Sequence, residues 1–315
     1  MKKLIVRRLA VYVPTVLLVT FIVFSLSNLS NLNPVAALLG EHEYTKELAE
    51  AYRKDLGLDR PFLVRYFRWL GNIAQGDLGR SIRTGSSMSE ELVQRYQVTL
   101  ELALGSILVT MLIAVPIGIY SALRPRSAGD YLGTVFAISG VAMPNFFMGI
   151  LLIYAFAVVL GWLPSNGYVE PWDNPVENLR LMVMPILTLG TAGAASVMRQ
   201  TRSAMLEVLR EDYVRTAHAK GLSGRIVLVR HALKNGLIPV VTVVGLRLVQ
   251  MLEGSAIVET IFSLPGMGQF AVHGVQNMDV VAIQTSILVF ASIIIVVNLL
   301  VDLLYGYLDP RVRYT

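Results

Sequence analysis

The sequence predicts an all-α membrane protein with six transmembrane helices. Hydrophobic residues make up 54% of its 315 residues and charged residues only 16%, whereas about a quarter of the residues of an ordinary soluble protein are charged. The apolar residues form long runs with few ionisable groups, and a run of about 18 such residues can cross a bilayer as a helix. Lysine and arginine concentrate in some of the segments between the runs, as they do in the cytoplasmic loops of membrane proteins.

The first predicted span belongs to residues 1–27, where a short basic N-terminus precedes the apolar run Leu9–Ser27. A cleavable signal peptide is the alternative interpretation. The run is longer than the roughly 7–15 apolar residues of a signal peptide, and the stretch SLSNLSNLN at its end is a poor match to a cleavage site. We therefore expect a retained membrane anchor.

Residues 28–97 are predicted to form an external segment with helices of its own. Thr45 is a suitable cap for a helix that ends at Leu56, before Gly57. A second helix is expected to have Pro61 at its first position, and its apolar residues recur at helical spacing. This pattern favours an amphipathic helix that lies on the bilayer or on the spans, and a platform for an external protein is the alternative.

The other five predicted spans belong to a core of residues 98–304. We place them at about 98–123, 131–162, 181–198, 236–262 and 282–304, with a loop at 199–235 and a tail at 305–315. The long run at 131–162 contains the pair Pro144-Asn145, where we expect a kink. We interpret this run as one tilted or kinked crossing, because two crossings would place the basic loop that follows on the external side.

Basic residues orient the spans. The 199–235 loop carries eight Lys and Arg residues, the 163–180 loop carries one and the 263–281 loop none. Because Lys and Arg mark short cytoplasmic loops, we predict that the 199–235 loop and both termini are cytoplasmic. The external segment carries nine such residues, but long segments cross membranes largely regardless of charge. The net charge of +5 comes from these loops, so we expect contact with membrane lipid and no nucleic-acid binding.

The basic loop contains a predicted two-turn helix, Tyr213–Lys220. Asp212 is a suitable N-cap, and Gly221 is expected to end the helix in the left-handed conformation. Ser223 can cap the next helix, which leads into the fifth span. Ala217 and Gly221 are small and allow another backbone to approach closely. From this pattern alone, a docking helix and an ordinary basic loop beside anionic lipid both remain open.

Five separated segments carry a resemblance to a known family. They are QGDLGRSI at 75–82, TRSAMLEVL at 201–209, EDYVRTAHAKGLSGRIVLVRHALKNGLIP at 211–239, ETIFSLPGMG at 259–268 and NLLVDLLYGYLDPRVR at 298–313. In this order they resemble the oligopeptide/dipeptide permeases of binding-protein-dependent ABC importers, over almost the whole chain. The long external segment after the first span is similar to the B-type permeases of that family.

The loop departs from the general pattern of such permeases, which is E-A-A, three residues, Gly, nine residues and I-x-L-P. Only Ala217, Gly221 and Leu233 match it. The departures resemble instead the variant found in oligopeptide/dipeptide permeases.

This resemblance implies the type I ABC importer permease fold. It also implies that the short helix is a coupling helix, which docks in a groove on a cytoplasmic ATPase. The residues expected at that contact are Asp212, Arg215, Ala217, Lys220 and Gly221.

The same resemblance implies several partners in the plasma (inner) membrane of a prokaryote. They are a second permease subunit that forms a heterodimer with this chain, two cytoplasmic ATPase subunits and an external solute-binding protein. The sequence contains no Gly-Lys pair, so it lacks the phosphate-binding loop G-x4-G-K-[ST]. We therefore expect ATP and Mg²⁺ to bind the partner subunits, and no enzymatic activity in this chain. The implied solutes are di- or oligopeptides, with nickel chelates, glutathione and oligosaccharides as alternatives.

The fifth span contains charged residues at membrane depth, where such residues are rare and are functional candidates by default. Arg247, Gln250 and Glu253 form a polar strip, because positions three apart lie about 60° from each other around a helix. The strip is either an internal ion pair that fixes the span to its neighbours or the lining of a path for a charged solute. Glu259 lies nearer the external end, where we expect it to be hydrated.

Other classes of function are not favoured. The chain has no cysteine and its four histidines are scattered, so no disulfide, thiol chemistry or metal site is predicted. A self-contained ion-coupled transporter would need its own ion site and usually an internal repeat. A membrane-bound enzyme would need polar groups clustered at one depth. The ion site, the internal repeat and such a cluster are not evident in the sequence.

Overall fold

The computed structural model describes residues 2–29, 50, 54 and 59–308, and these residues are mostly helical. In this part of the chain the only β-pairing is an isolated antiparallel bridge between Arg80 and Ser87. Of the predicted helix from Thr45 to Leu56 only Glu50 and Lys54 are described, and both are helical. The tail after 308 lies outside the described residues.

Eleven helical elements follow one another in the described part of the chain. In order they are α1 Lys2–Leu29, α2 Phe62–Ala74, α3 Met88–Leu123, α4 Ala128–Ala142, α5 Asn145–Leu152, α6 Pro175–Val208, α7 Asp212–Ala219, α8 Gly224–Gly236, α9 Ile238–Ile261, α10 Met267–Gln276 and α11 Val280–Leu308. A π-helix, Ile153–Val159, continues α5, and a π-helical turn, Val227–Ala232, lies within α8.

Three of these helices are long and apolar enough to cross a membrane: α3, α6 and Val280–Leu304 of α11. Two bent pairs pass the same test, Ala128–Gly140 with Asn145–Val159 and Gly224–Gly236 with Ile238–Leu252. A shorter apolar helix occupies Ala10–Ser25. Each of these elements overlaps a predicted span except Gly224–Gly236, which lies almost wholly in the predicted 199–235 loop. The count of six and the bounds of the spans remain predictions.

The break between α4 and α5 lies at Pro144, as the sequence predicts. Pro144 has an extended conformation and precedes the first residue of α5. The two helices are bent by 104° relative to each other at this point, so they do not form one straight helix. Whether the two halves form one crossing remains a prediction.

The chain divides into two compact units, and the larger is built from Leu100–Leu264 and the end of α11 from Val296. In this unit α3 and α6 approach each other closely through glycine. A Cβ atom at Gly118 would lie 2.8 Å from the carbonyl oxygen of Met198, and one at Gly190 would lie 2.9 Å from that of Ser106. Small residues of this kind permit close backbone contact between membrane helices.

The second unit contains Ile5–Thr99 and Pro265–Ile295. In it α2 packs an aromatic face against α1: Tyr66 contacts the rings of Phe21 and Phe24, and its hydroxyl lies 3.0 Å from that of Thr20. Pro61 immediately precedes α2 rather than occupying its first position. Packing of this helix on the first predicted span, one of the expected alternatives, is therefore observed.

The turn GDLG at 76–79 also belongs to the second unit. Gly79 donates its N–H to Asp77 Oδ1, and Ser81 donates its hydroxyl to Asp279 Oδ2. Asp279 also accepts from the N–H of Ala282 in the first turn of α11. The hydrogen bond of Ser81, two residues after the turn, thus attaches the segment before α3 to the start of α11. The role of these contacts is structural.

Candidate functional site

The short helix α7 begins one residue earlier than the sequence predicts. Its N-cap is Glu211, which has an extended conformation, and Asp212 is the first helical residue. The carboxylate of Asp212 in the first turn is favoured by the positive end of the helix dipole. The predicted cap at Asp212 is therefore wrong by one position, because Glu211 already leaves the helical conformation.

The helix α7 ends at Ala219, one residue before the predicted Lys220, and Gly221 has the left-handed conformation that the sequence predicts. Gly221 has a φ of +79° and donates its N–H to the carbonyl of His218 at 2.9 Å. Leu222 donates to the carbonyl of Ala217 at 3.4 Å. This pattern is that of a helix end closed by a left-handed glycine.

One face of α7 is buried against the chain itself. Val214 is 1% exposed and Ala217 6%; both form a cluster with Val227 of α8, and Val208 of α6 packs against this cluster. The amide of Asn235 in α8 donates to the hydroxyl of Tyr213 at 2.9 Å. The buried face of α7 therefore packs on α8, and the end of α6 contacts the same cluster.

This packing places Ala217 on the inner face of the helix. The small side chain allows α7 to approach α8 closely, whereas the sequence suggested that it allows a partner to approach. Whether Ala217 also contacts a partner remains a proposal.

The opposite face of α7 is exposed. It includes Asp212, Arg215, Lys220 and Gly221. Arg215 donates to the carboxylate of Asp212, and the two side chains are 74% and 87% exposed. Exposed pairs of this kind contribute little to stability. Each group can therefore leave this pair and bind a partner protein at a small cost in free energy.

An open recess of about 530 Å³ adjoins the start of α7. It is lined by Ser203, Leu206, Glu207, Arg210, Glu211 and Asp212. Three carboxylates around one basic residue make its charge predominantly acidic, which suits a basic side chain from another protein.

Of the polar strip predicted in the fifth span, the structure brings two residues together. Arg247 in α9 donates from Nη1 to Oε1 of Gln250 at 2.7 Å. The side chain of Glu253 lies outside the described residues. Arg199 in α6 lies within electrostatic range of Arg247 and carries the same charge.

Glu259 corrects one expectation. Its side chain is fully buried, with 0% exposure, so it is not hydrated at the external end of the span. Its carbonyl accepts from the N–H of Leu264 at 2.8 Å in the turn that ends α9. A fully buried glutamate in this turn was not apparent from the sequence.

The structure adds two polar contacts that the sequence analysis missed. Tyr168 donates its hydroxyl to Glu101 Oε2 at 2.8 Å, and burial, together with this bond, raises the pKa of Tyr168. Asp130 at the start of α4 pairs with Arg202 in α6. The only sequence signal for the second contact is the spacing of Ser127 and Asp130, which is typical of a helix start.

The fold of this protein is similar to that of a solved structure. A solved structure, described as inward-facing conformations of the MetNI methionine ABC transporter, aligns with a TM-score of 0.56 at 15% identity. The alignment covers 70% of this chain and 98% of that chain. The described helices therefore share the fold of that transporter chain.

The family follows from the sequence comparisons. Residues 114–314 match the profile of the binding-protein-dependent transport system inner membrane component, and residues 1–103 match the profile of the N-terminal part of such proteins. The chain belongs to this family and is a membrane permease subunit.

Its relatives include three permeases with similar lengths. The dipeptide transport system permease protein DppB of Alkalihalophilus pseudofirmus is 39% identical over 98% of both chains. The di/tripeptide permease DppB of Pseudomonas aeruginosa is 39% identical over 100% of this chain and 99% of its own. The glutathione transport system permease protein GsiC of Pectobacterium atrosepticum is 39% identical over 98% of both. These findings confirm the resemblance and the fold class predicted from the sequence.

Proposed function

We propose that this chain is the permease subunit of an ATP-driven, binding-protein-dependent importer of di- or oligopeptides. The observation that carries the proposal is α7, a short helix with one buried face and one exposed face, set between two membrane-associated helices. Membership of the permease family and 39% identity to dipeptide and di/tripeptide permeases support the assignment of the solute.

In this proposal α7 is the coupling helix. Its exposed residues Asp212, Arg215, Lys220 and Gly221 dock on a cytoplasmic ATPase subunit, and Ala217 keeps the helix close to α8. Because α7 is packed on both α6 and α8, a displacement of α7 moves both helices. Docking shifts the permease between states only if its interaction energy differs between them, and a change from 1:99 to 99:1 requires about 5.5 kcal/mol.

The proposed assembly contains a second permease subunit, two cytoplasmic ATPase subunits that bind ATP and Mg²⁺, and an external solute-binding protein. The 199–235 loop and both termini face the cytoplasm of a prokaryotic cell, and the chain crosses its inner membrane six times. The basic residues of this loop, eight in number, support the orientation.

Arg247, Gln250 and Glu253 are proposed to line the path of the solute. The hydrogen bond from Arg247 to Gln250 leaves the remaining donors of the guanidinium for another acceptor. The nearby positive charge of Arg199 favours a carboxylate at this place, and a peptide has one at its C-terminus.

Glutathione is the second candidate solute, because a glutathione permease is as similar to this chain as the dipeptide permeases are. Both solutes carry an ammonium group and at least one carboxylate, so the path residues do not separate them.

Reconstitution tests the proposal. The complex purified with its ATPase subunits and binding protein is placed in liposomes, and uptake of a labelled dipeptide is measured with and without ATP, with glutathione as competitor. We expect ATP-dependent uptake of the dipeptide. Uptake by this chain alone, driven by an ion gradient, would contradict the proposal.

A further inference from the structure

The side chain of Asp130 is held by an unusually complete set of donors. Arg202 donates from Nε to Oδ1 at 2.8 Å and from Nη2 to Oδ2 at 2.9 Å. The N–H of Arg126 donates to Oδ2 at 2.9 Å. The Asp130 side chain is only 7% exposed and that of Arg202 33%, so the pair is largely removed from water.

The pair joins two elements that are distant in sequence. Asp130 lies in the first turn of α4, where Ser127 caps the helix by accepting from the N–H of Asp130. Arg202 lies 72 residues later, near the C-terminal end of α6. Arg126, in the turn before α4, has a φ of +62°, a conformation that non-glycine residues rarely adopt. The contact from its N–H to Asp130 holds this turn in place.

The same end of α6 is also attached to α7. Val208, the last residue of α6, packs against the cluster that Val214 and Ala217 of α7 form with Val227 of α8. The end of α6 therefore contacts α7 through apolar side chains and α4 through a bidentate ion pair.

The two kinds of contact differ in what they fix. The middle of α4 packs on α6 through apolar residues, and Ala137 belongs to one cluster with Ala194 and Met198. Apolar contacts are non-directional and tolerate sliding of one helix along the other. A guanidinium fork on a carboxylate has a fixed geometry, so it sets the register of the two helices.

We propose that Asp130 and Arg202 are positioning residues that make α4 follow α6 when α7 is displaced. The inference rests on the proposed function of α7. The ion pair would transmit the displacement of the coupling helix from α6 to the two helices α4 and α5. The contact of α7 with Val208 does not itself extend to these two helices.

The test compares solute transported with ATP hydrolysed in the reconstituted complex. In Arg202→Lys the positive charge remains, but one ammonium cannot reproduce the two parallel hydrogen bonds. We expect ATP hydrolysis to continue while the solute imported per ATP falls by roughly fivefold or more, the lower range of coupling effects in proteins. Asp130→Asn should give the same loss.

Arg180→Lys is the matched control. Arg180 lies on the same helix and pairs with Glu177, but this pair is exposed, at 51% and 36%. We expect this variant to import the same amount of solute per ATP as the unaltered complex.

A pair that only stabilises the fold would lower uptake and hydrolysis together, in proportion to the amount of assembled complex, and this result would overturn the inference. An unchanged ratio in Arg202→Lys would also overturn it. If Asp130→Asn does not assemble, Arg202→Lys decides. Absence of ATP-dependent uptake in the unaltered complex would instead contradict the proposed function.

Discussion

Replacement of Gly221 is expected to weaken the attachment of the ATPase. Gly221 has a φ of +79°, and a Cβ atom added there would meet no atom within 4 Å. The cost of Gly221→Ala is therefore conformational and amounts to about 1–2 kcal/mol for a residue in the left-handed region. In the free protein the exposed turn can relax and avoid this strain. Docking that requires the native turn must restore the left-handed conformation, and its cost then reduces the free energy of binding.

The expected loss of affinity follows from that cost. About 1–2 kcal/mol corresponds to roughly a 5- to 30-fold decrease in the association constant. Gly221→Trp adds bulk to the exposed surface and should uncouple transport while leaving membrane insertion intact. Gly224 supplies the matched control, because a Cβ atom there also meets nothing within 4 Å and the residue has a helical conformation.

Co-purification of the ATPase subunits with each variant, at equal amounts of permease in the membrane, measures the effect. Solute uptake is measured in parallel. If Gly221→Ala and Gly224→Ala retain the same amount of ATPase, the left-handed turn is not needed for docking. Undiminished uptake by Gly221→Trp would refute the docking role of this end of α7.

Three further predictions concern topology, the solute path and a polar contact. The chain has no cysteine, so a single introduced cysteine reports on which side of the membrane it lies. In intact cells an impermeant thiol reagent should label Thr84→Cys and not Thr216→Cys. The reverse pattern would contradict the predicted orientation. Arg247→Ala should lower uptake by about tenfold, the equivalent of one hydrogen bond to a charged group, at an unchanged yield of complex; a loss of assembly alone would favour an internal ion pair. Tyr168→Phe should lower the free energy of unfolding by roughly 1 kcal/mol in thermal melts near neutral pH, and Tyr154→Phe, at an exposed position, should not. Because the pKa of Tyr168 is raised on folding, its contribution to the free energy of unfolding is present below the unfolded pKa of about 10. This contribution is lost as the pH rises through the pKa of the folded state. Equal melting temperatures of Tyr168→Phe and Tyr154→Phe would contradict this contact.

The sequence predicts best the features that depend on neighbouring residues. The end of α7 at Gly221 follows from the conformational freedom of glycine, and the apolar helices follow from runs of hydrophobic residues. The start of α7 is misplaced by one residue, because Glu211 and Asp212 are both compatible with a helix start and only the backbone conformation separates them.

Features that depend on distant residues could not be predicted. Asp130 and Arg202 are 72 residues apart, and nothing in their spacing indicates contact. The burial of Glu259 depends on neighbours that a single helix pattern does not contain. The inward orientation of Ala217 becomes clear only when Val227 is placed beside it.

Cross-linking from α7 tests the central claim most directly. A cysteine at Thr216, on the exposed face of α7, carries a short photoactivatable linker, and the assembled complex is illuminated in its native membrane. Docking of this helix on a separate nucleotide-hydrolysing subunit predicts a cross-linked band that contains an ATPase subunit, and no such band from Thr84→Cys. A linker at Thr216 that captures only lipid or this chain itself, in a complex that transports with ATP, would contradict the claim.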